Sequence, residues 1–458
     1  IRLDLVDNDS IVDTASNPLG GAGAGNGNFT TGEVYTVNKT PPTVAFTAAS
    51  QASASESGTM TITAQLSALS GLAVTVPFTV NGASTATGGG ADYTITASPI
   101  TIPAGSASAD ITITIAADSL DEANETVVVD MGAPTNATQG ATTSHTATIT
   151  DDDATPTVAF TTASQSSANE TGTLTITAQL SAVSGLAVTV PYTVNASSTA
   201  TGGGADYSLT ASPITIPAGS ASVNITLTIA ADTLDENNET VVVDMGAPTN
   251  ATPGATTTHT ATITDDDATP TVAFTAANQA SADETGTLTI TAQLSAVSGL
   301  AVTVPFTVNG ASTATGGGAD YSLTASPITI PAGSASADIT VTIAGDALDE
   351  ANETVVVDMG APTNATLGAT TTHTATITDD DATPTLSIND VSVVEGTGGG
   401  STTLDFTVTL SAASGRTVTV EHSTADGTAF QPADYTQIPP TVLTFNPGET
   451  TKPISVIV

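Results

Sequence analysis

Clusters of carboxylates are the residues in this sequence whose type and spacing could do chemistry. The chain carries 45 Asp and Glu residues against 4 Lys and Arg, and Asp151-Asp152-Asp153 is the first of three acidic triplets. No Lys or Arg lies between Lys39 and Arg416. Because like charges in contact repel by about 1 kcal/mol per pair in water, and by more at lower dielectric, such clusters fold at low cost only around a cation. A hard divalent ion that takes oxygen ligands, above all Ca²⁺, fits this composition.

A long repeat positions these clusters. The acidic triplet recurs at a step of 114 residues, at 151–153, 265–267 and 379–381. The segment that begins at Pro42 keeps the same step, with counterparts at 156, 270 and 384. A period of this length indicates tandem domains of ordinary size. We expect units at 40–153, 154–267, 268–381 and 382–458, the last of them incomplete.

The two ends of the sequence differ from the repeats. Residues 1–39 contain four aspartates within the first 13 residues and a glycine-rich run at 20–27. We expect this segment to be the C-terminal part of a preceding immunoglobulin-like repeat. Its aspartates are consistent either with a second kind of calcium site or with a plain Asn/Asp turn. Strand-like residues at 1–6 and 454–458 indicate a window on a longer protein.

Within a unit the hydrophobic pattern has a period of two. In the second unit Leu174, Ile176, Ala178 and Leu180 alternate with polar residues, which is typical of a half-buried strand. About seven such strands per unit, separated by Gly- and Asn-rich turns, predict an all-β fold of tandem antiparallel β-sandwiches in an extended array. Pro191 falls on the outward side of its strand, which predicts an edge strand or a bulge there. The predicted strands of the second unit are 157–162, 174–180, 188–194, 213–216, 223–229, 240–245 and 257–264.

Most of the acids lie in loops or at strand ends. In the first unit they occupy the turn before the second strand, a glycine-rich loop at 88–93, the loop at 118–125 and the closing triplet. Since alternate loops of an antiparallel sandwich reach the same end, the 118–125 loop and the triplet can converge there. Such a tip suits a Ca²⁺ cage of six to eight oxygens. The alternative is a merely solvated acidic surface, but that would place charge on the outward strand positions, which Thr and Ser fill.

These motifs resemble the Calx-beta domain over about 42–458. The resemblance rests on Glu56 in Ser55-Glu-Ser-Gly58, on Gly90–Tyr93, on Pro103-Ala-Gly105, on the 118–125 spacing and on the triplet. It implies an immunoglobulin-like sandwich that binds Ca²⁺ at one tip, beside the junction with the next domain. The ligands that the resemblance implies are Glu56, Asp92, Asp118, Glu122, Glu125, Asp151, Asp152 and Asp153; Glu170, Asp206, Asp232, Glu236, Glu239, Asp265, Asp266 and Asp267; Glu284, Asp320, Asp346, Glu350, Glu353, Asp379, Asp380 and Asp381; and Glu395 and Asp434.

One position departs from the family pattern. Strong calcium-binding members of the family have two adjacent acids where this chain has Ala117-Asp118, Ala231-Asp232 and Gly345-Asp346. One ligand is therefore missing per site. We expect fewer ions per unit, or weaker ones, with affinities nearer the roughly 10⁻⁴ to 10⁻³ M of extracellular modules.

Several classes of function are excluded or disfavoured by composition. A net charge of −41 repels nucleic acid, and no apolar run is long enough for a membrane span. His145, His259 and His373 share the inward parity of their strands, which predicts packing residues and not bases or ligands. No constellation for nucleophilic or glycosidase catalysis is present, so the chain is not expected to be an enzyme.

The same features indicate a function. With no Cys and no Trp, and with 3% aromatic residues, small domains need a staple other than disulfides, and a bound metal supplies one. We expect a Ca²⁺-stiffened stalk or fibre region of a large extracellular, adhesin-like bacterial surface protein, with surface or matrix ligands bound elsewhere. A self-assembling filament or surface layer built from copies of the chain is the alternative, and repeats that flank an exported enzyme are a third reading.

Overall fold

The computed structural model describes Ser16 and residues 40–53, 55–167, 169–281, 283–394 and 398–458. Apart from Ser16, the expected immunoglobulin-like tail at 1–39 lies outside the described residues, as does the predicted ligand Glu395. Every regular element in the described part of the chain is a β-strand. No described segment is a helix with the length and hydropathy needed to cross a bilayer.

The first three units have the same series of eleven strands. The strands of the first unit are β1 (Thr43–Phe46), β2 (Ser50–Ala52), β3 (Thr59–Leu66), β4 (Val74–Val76), β5 (Phe78–Val80), β6 (Tyr93–Ile95), β7 (Ile100–Ile102), β8 (Ser108–Ile115), β9 (Glu125–Met131), β10 (Thr138–Gln139) and β11 (Ser144–Ile149). Those of the second are β12 (Thr157–Phe160), β13 (Ser164–Ser166), β14 (Thr173–Leu180), β15 (Val188–Val190), β16 (Tyr192–Val194), β17 (Tyr207–Leu209), β18 (Ile214–Ile216), β19 (Ser222–Ile229), β20 (Glu239–Met245), β21 (Thr252–Pro253) and β22 (Thr258–Ile263).

The third unit repeats the eleven strands, and the fourth unit has five described strands. The third contains β23 (Thr271–Phe274), β24 (Asn278–Ala280), β25 (Thr287–Leu294), β26 (Val302–Val304), β27 (Phe306–Val308), β28 (Tyr321–Leu323), β29 (Ile328–Ile330), β30 (Ser336–Ile343), β31 (Glu353–Met359), β32 (Thr366–Leu367) and β33 (Thr372–Ile377). The fourth contains β34 (Leu386–Ile388), β35 (Thr403–Leu410), β36 (Val418–His422), β37 (Thr441–Phe445) and β38 (Thr451–Ile457).

Each of the first three units is built from two main sheets, as the all-β prediction required. In the first unit a five-stranded sheet has the order β10-β1-β3-β8-β6, a four-stranded sheet has the order β2-β11-β9-β5, and β4 pairs with β7 alone. The long pairs are antiparallel, whereas β1–β10 and β2–β11 are parallel. The inward faces of the sheets form a separate apolar core in each unit.

The second unit has eleven strands against the seven predicted. The short strands β13, β17 and β21 lie outside the predicted ranges, and one predicted strand is divided in two. The strand predicted at 188–194 divides at Pro191 into β15, which pairs with β18, and β16, which pairs with β20. Proline has no N–H to donate to a ladder, so the chain changes sheets there. Both parts are edge strands, which confirms the prediction for Pro191.

The repeated histidines pack in the core, as the sequence predicts. His145 is 2% exposed on β11, and its ring meets the ring of Phe46 edge-on at 6.3 Å between centroids. Its Nδ1 lies 2.7 Å from the carbonyl oxygen of Ala48, which fixes Nδ1–H as the donor. His259 and His373 have the same environment.

The fourth unit has a smaller core. Its described strands form a sheet of order β34-β35-β38 and the pair β36-β37. Val408, Leu410, Phe445 and Ile454 are buried between them. Leu386 is 42% and Ile388 59% exposed, although the matching strand β1 of the first unit is buried at Val44 and Phe46. The described strands thus leave one side of this core uncovered.

Candidate metal centre

Three carboxylates meet at one tip of each of the first three units. In the first unit one oxygen each from Glu56, Asp118 and Asp153 lies within 4.8 Å of the others. These residues come from the turn before β3, the loop between β8 and β9, and the segment after β11. The same trio recurs as Glu170, Asp232 and Asp267, and as Glu284, Asp346 and Asp381. The convergence of separate acidic loops at one end of the sandwich is therefore present in three copies.

Hydrogen bonds from the backbone hold the three segments together. The N–H of Glu56 donates to Asp152 Oδ1 at 3.0 Å, and the N–H of Glu122 donates to Asp151 Oδ1 at 3.1 Å. The first two aspartates of the triplet thus fasten two loops to the end of β11. Within the second loop Asp118 Oδ1 accepts from the N–H of Leu120 at 2.8 Å, which orients that carboxylate. Asp266 and Asp265 make the corresponding bonds in the second unit, and Asp380 and Asp379 in the third.

Burial and mutual repulsion raise the pKa values of carboxyls in the trio. Glu56 is 9% exposed. Its burial, together with the charges of Asp151, Asp118 and Asp153, raises its pKa to about 7. Glu170 and Glu284 are raised to about 7 by burial and by the corresponding acids. Partial burial and the neighbouring aspartates also raise the pKa of Asp153. Burial and the like charges around these carboxyls disfavour their ionised forms.

A second pair of acids lies beside the trio. Burial and a side-chain hydrogen bond with Asp92 raise the pKa of Glu125 to about 7. Asp92 also accepts from the backbone N–H of Thr87. Burial, followed by the charges of Asp118 and Asp92, raises the pKa of Glu122. One narrow cavity is lined by Ile115, Ile149 and five of these acids, namely Glu56, Asp92, Asp118, Glu122 and Glu125. Asp153 is not among its lining residues.

The predicted ligands of the later units fall into the same pattern, except in the fourth. Glu239 and Glu353 have a pKa of about 7 through burial and hydrogen bonds with Asp206 and Asp320. In the fourth unit Asp434 Oδ2 accepts from the N–H of Phe430 at 2.8 Å. Within the described part of that unit no carboxylate trio includes Asp434. A ligand role for Asp434 remains a prediction.

Asp121 belongs to the acidic loop at 118–125 but is not among the predicted ligands. In the structure it is only 7% exposed, and its side chain contacts the linker and the next unit. Its carboxylate accepts from the hydroxyls of Ser184 at 3.1 Å and Thr155 at 3.2 Å. The recurrence of an aspartate at 235 and 349, each 63 or 65 residues before a serine, was the available signal. Spacing alone did not reveal which way the side chain points.

The donor set suits a hard divalent cation. Ca²⁺–oxygen distances of about 2.3 to 2.6 Å place oxygens on opposite sides of one ion about 5 Å apart. The three trio oxygens, within 4.8 Å of one another, therefore fit around a single ion. No sulfur or imidazole belongs to the described cluster, so nothing in it favours a soft metal. The trio is a group of acids that could hold a metal ion.

Comparison with protein families identifies the domains that carry the trio. The sequence matches the Calx-beta domain over residues 38–153, 151–267, 265–381 and 383–458. The chain belongs to the Calx-beta domain family. The resemblance drawn from the tip motifs is thereby confirmed, and the chain is a tandem array of Calx-beta domains. A comparison with curated proteins found no match.

Solved structures offer weaker likenesses to this Calx-beta array. A crystal structure of CBD12 from CALX1.2 is 18% identical over 48% of this chain and 98% of that one, with a TM-score of 0.24. CBD12 of CALX1.1 is 16% identical over 48% and 98%, also with a TM-score of 0.24. Extracellular cadherin domains 3–6 of protocadherin gamma B2 are 12% identical over 91% and 98%, with a TM-score of 0.25. Scores this low carry no argument about function.

Proposed function

We propose that these Calx-beta units bind Ca²⁺ and form a stalk or fibre region of a large extracellular, adhesin-like bacterial surface protein. The observation that carries the proposal is the carboxylate trio, which recurs in three units. Family membership supports Ca²⁺ over other ions, as does a donor set made only of oxygens.

The proposed mechanism joins the chain segments that meet at the tip. When bound, Ca²⁺ supplies the positive charge that the trio lacks. Asp153 directly precedes the linker 154–156, so holding its carboxylate also holds the start of the next unit. Glu56 and Asp118 anchor the same point to the body of the unit. Without the ion, repulsion among these carboxylates should loosen the tip.

The full ligand set remains part of the proposal. Glu56, Asp118 and Asp153 are the proposed central ligands, with Asp92, Glu122 and Glu125 within reach along the same cavity. In Asp151 and in Asp152 one carboxylate oxygen accepts a hydrogen bond from a backbone N–H, and we propose the other oxygen as a metal ligand. Ala117 stands where an adjacent acid would add a ligand. We therefore propose weak sites, filled at extracellular Ca²⁺ concentrations of the order of 10⁻³ M.

The proposal includes the place and manner of action. The lack of Cys leaves metal as the available staple for domains poor in large side chains, and millimolar Ca²⁺ is an extracellular condition. We propose no catalytic role for the units, because their buried histidines donate to backbone carbonyls within the core. The domain limits proposed are those of the repeat, with units at 40–153, 154–267, 268–381 and 382–458.

A filament of self-assembling chains is the second candidate. The observation that favours it is the uncovered side of the fourth unit, where Leu386 and Ile388 are exposed. A strand from another copy could add to that edge. Sedimentation velocity in 5 mM CaCl₂ tests this candidate, because a filament-forming chain sediments as a concentration-dependent series of oligomers and a stalk sediments as a monomer.

Calorimetric titration of the chain with CaCl₂, and with MgCl₂ for comparison, tests the main proposal. We expect binding in the first three units with Ca²⁺ and little heat with Mg²⁺. Asp118→Asn, Asp232→Asn and Asp346→Asn should each remove the binding of one unit. Asp110→Asn is the matched control, since this exposed acid on β8 bonds only to Thr63 Oγ1. If the three tip variants bind as the wild type does, the acids are surface charge and the proposal is wrong.

A further inference from the structure

Each junction between successive units contains a set of polar contacts. At the first junction Asp121 reaches into the second unit, where the Ser184 hydroxyl lies 3.0 Å from its carbonyl oxygen and 3.1 Å from its carboxylate. The N–H of Gly185 donates to the same carbonyl at 3.1 Å. Thr155, in the linker, donates to the other carboxylate oxygen at 3.2 Å. One aspartate thus binds the linker and the next unit together.

The serine contact recurs at the other two junctions, and the linker contact recurs at the second. Asp235 accepts from Ser298 at 3.2 Å and from Thr269 at 3.1 Å. Asp349 accepts from Ser414 at 3.0 Å. We call the aspartate and the serine at each junction the clamp.

The clamp is almost completely removed from water. Ser184, Ser298 and Ser414 are 1%, 0% and 2% exposed. The aspartates are 7%, 7% and 6% exposed. A carboxylate is rarely buried to this degree unless hydrogen-bond donors replace its water. Here the hydroxyl of the serine supplies a donor at each junction, and the hydroxyl of the linker threonine supplies a second at the first two junctions.

Among the described residues, the first unit has no clamp on the surface that corresponds to the one contacted by Asp121 in the second unit; this surface is called the receiving face. Ser70 occupies the position of Ser184, and its Oγ accepts from the N–H of Leu72 as Ser184 does from Leu186. No described residue places a carboxylate on Ser70. Leu72 is 62% exposed, whereas Leu186 is half-buried against the preceding tip. The receiving face is thus a preformed surface, and the preceding tip covers it.

We propose that the clamp sets the orientation of successive units and does so without metal. Asp121, Asp235 and Asp349 are joint residues in this reading, distinct from the carboxylates of the trio. The carboxylate and the hydroxyl of each clamp are hydrogen-bonded to each other, so the clamp needs no cation. This inference deepens the proposed stalk function, because it gives each junction a second lock three residues away from Asp118.

The two locks predict different responses to Ca²⁺ removal. Loss of the ion should loosen the trio, while the clamp keeps the units aligned. Loss of the clamp should free the junction even where the trio is intact. The junction between the second and third units is suited to the test, since both partners of its clamp are buried.

Spin-label distances across that junction provide the measurement. The chain has no Cys, so labels can be placed at Thr175→Cys and Thr289→Cys, which are exposed and matched positions on β14 and β25. Distances between the two spin labels are then measured by pulsed electron–electron double resonance in EGTA and in 5 mM CaCl₂. The variants are Ser298→Ala and Asp235→Ala. Ser70→Ala is the control, because it loses the same turn hydrogen bond in a unit where no described residue forms a clamp.

The result expected in EGTA is a narrow distance distribution for the parent chain and for Ser70→Ala. Both clamp variants should broaden it at least twofold. Equal widths for the parent and the clamp variants in EGTA would overturn the inference, whether both are narrow or both are broad. If Ca²⁺ changes no distribution and calorimetry detects no binding, the proposed function fails while the clamp is still judged by the EGTA data alone.

Discussion

The backbone N–H of Glu56 donates to Asp152 Oδ1 at 3.0 Å across 96 residues of sequence. This bond joins the turn before β3 to the segment that follows β11. It brings Glu56 to the side of Asp153, the third member of the triplet. The middle aspartate of the triplet therefore positions a neighbour's carboxylate with one of its own oxygens.

Replacement of Asp152 should weaken the first site through this bond. Asp152→Ala leaves the turn that carries Glu56 unfastened, and we expect Ca²⁺ affinity in the first unit to fall by about 10-fold or more, as is usual for residues that orient a ligand. Asp152→Asn keeps an oxygen acceptor and should remain near the parent value. Calorimetric titration measures both. Equal losses in the two variants would show instead that the Asp152 charge itself binds the ion.

Stability of the metal-free protein should fall as pH rises. Glu56 has a pKa of about 7 when folded against an ordinary value of 4.5, so the folded chain keeps protons that the unfolded chain has released. Stability is then fully present below about pH 4.5 and is lost as the pH rises through about 7. After allowance for solvent screening, this amounts to about 1 to 3 kcal/mol for Glu56.

Thermal melts in EGTA at pH 5.5 and pH 8 check this expectation. The melting temperature should be lower at pH 8, and 5 mM CaCl₂ should remove most of the difference because bound metal replaces the protons. Glu56→Gln should reduce the pH dependence in EGTA. A higher melting temperature at pH 8 than at pH 5.5 in EGTA would contradict the assigned direction.

Gly185 leaves room for a side chain of the preceding unit. A Cβ at this position would clash with Glu122 Oε1, whereas a Cβ at Gly71, the same position in the first unit, meets nothing within 4 Å. Gly185→Ala should therefore displace the Glu122 carboxylate and lower Ca²⁺ affinity in the first unit several-fold. Gly71→Ala is the matched control and should bind as the parent does. Unchanged binding in both variants would remove Glu122 from the proposed ligands.

His145 should contribute to stability and not to metal binding. Its replacement by Ala empties a site that is 2% exposed, removes the edge contact with Phe46 and leaves the Ala48 carbonyl without its donor. We expect a loss of about 2 to 4 kcal/mol in the free energy of unfolding of that unit. Urea denaturation measures this loss, and calorimetry should show unchanged Ca²⁺ affinity. A lost binding event would contradict a packing role.

Much of the fold could be predicted from the residues alone. Period-two alternation along 174–180 predicted a strand, and β14 occupies Thr173–Leu180. Alternation is readable because successive side chains of a strand point to opposite faces, so burial leaves a direct mark on the sequence. Breaks such as that at Pro191 were harder to place, since whether a strand ends or changes sheet depends on which neighbour it pairs with.

The sequence by itself determined the repeat, the all-β class, the Calx-beta family and the gathering of acids in tip loops, because each of these follows from local pattern and spacing. Tertiary structure alone decided which carboxylates meet. It placed Glu56, Asp118 and Asp153 together, turned Asp152 toward a backbone N–H, and directed Asp121 into the next unit. The direction of a loop side chain depends on hydrogen bonds with residues distant in sequence, and spacing carries no record of them.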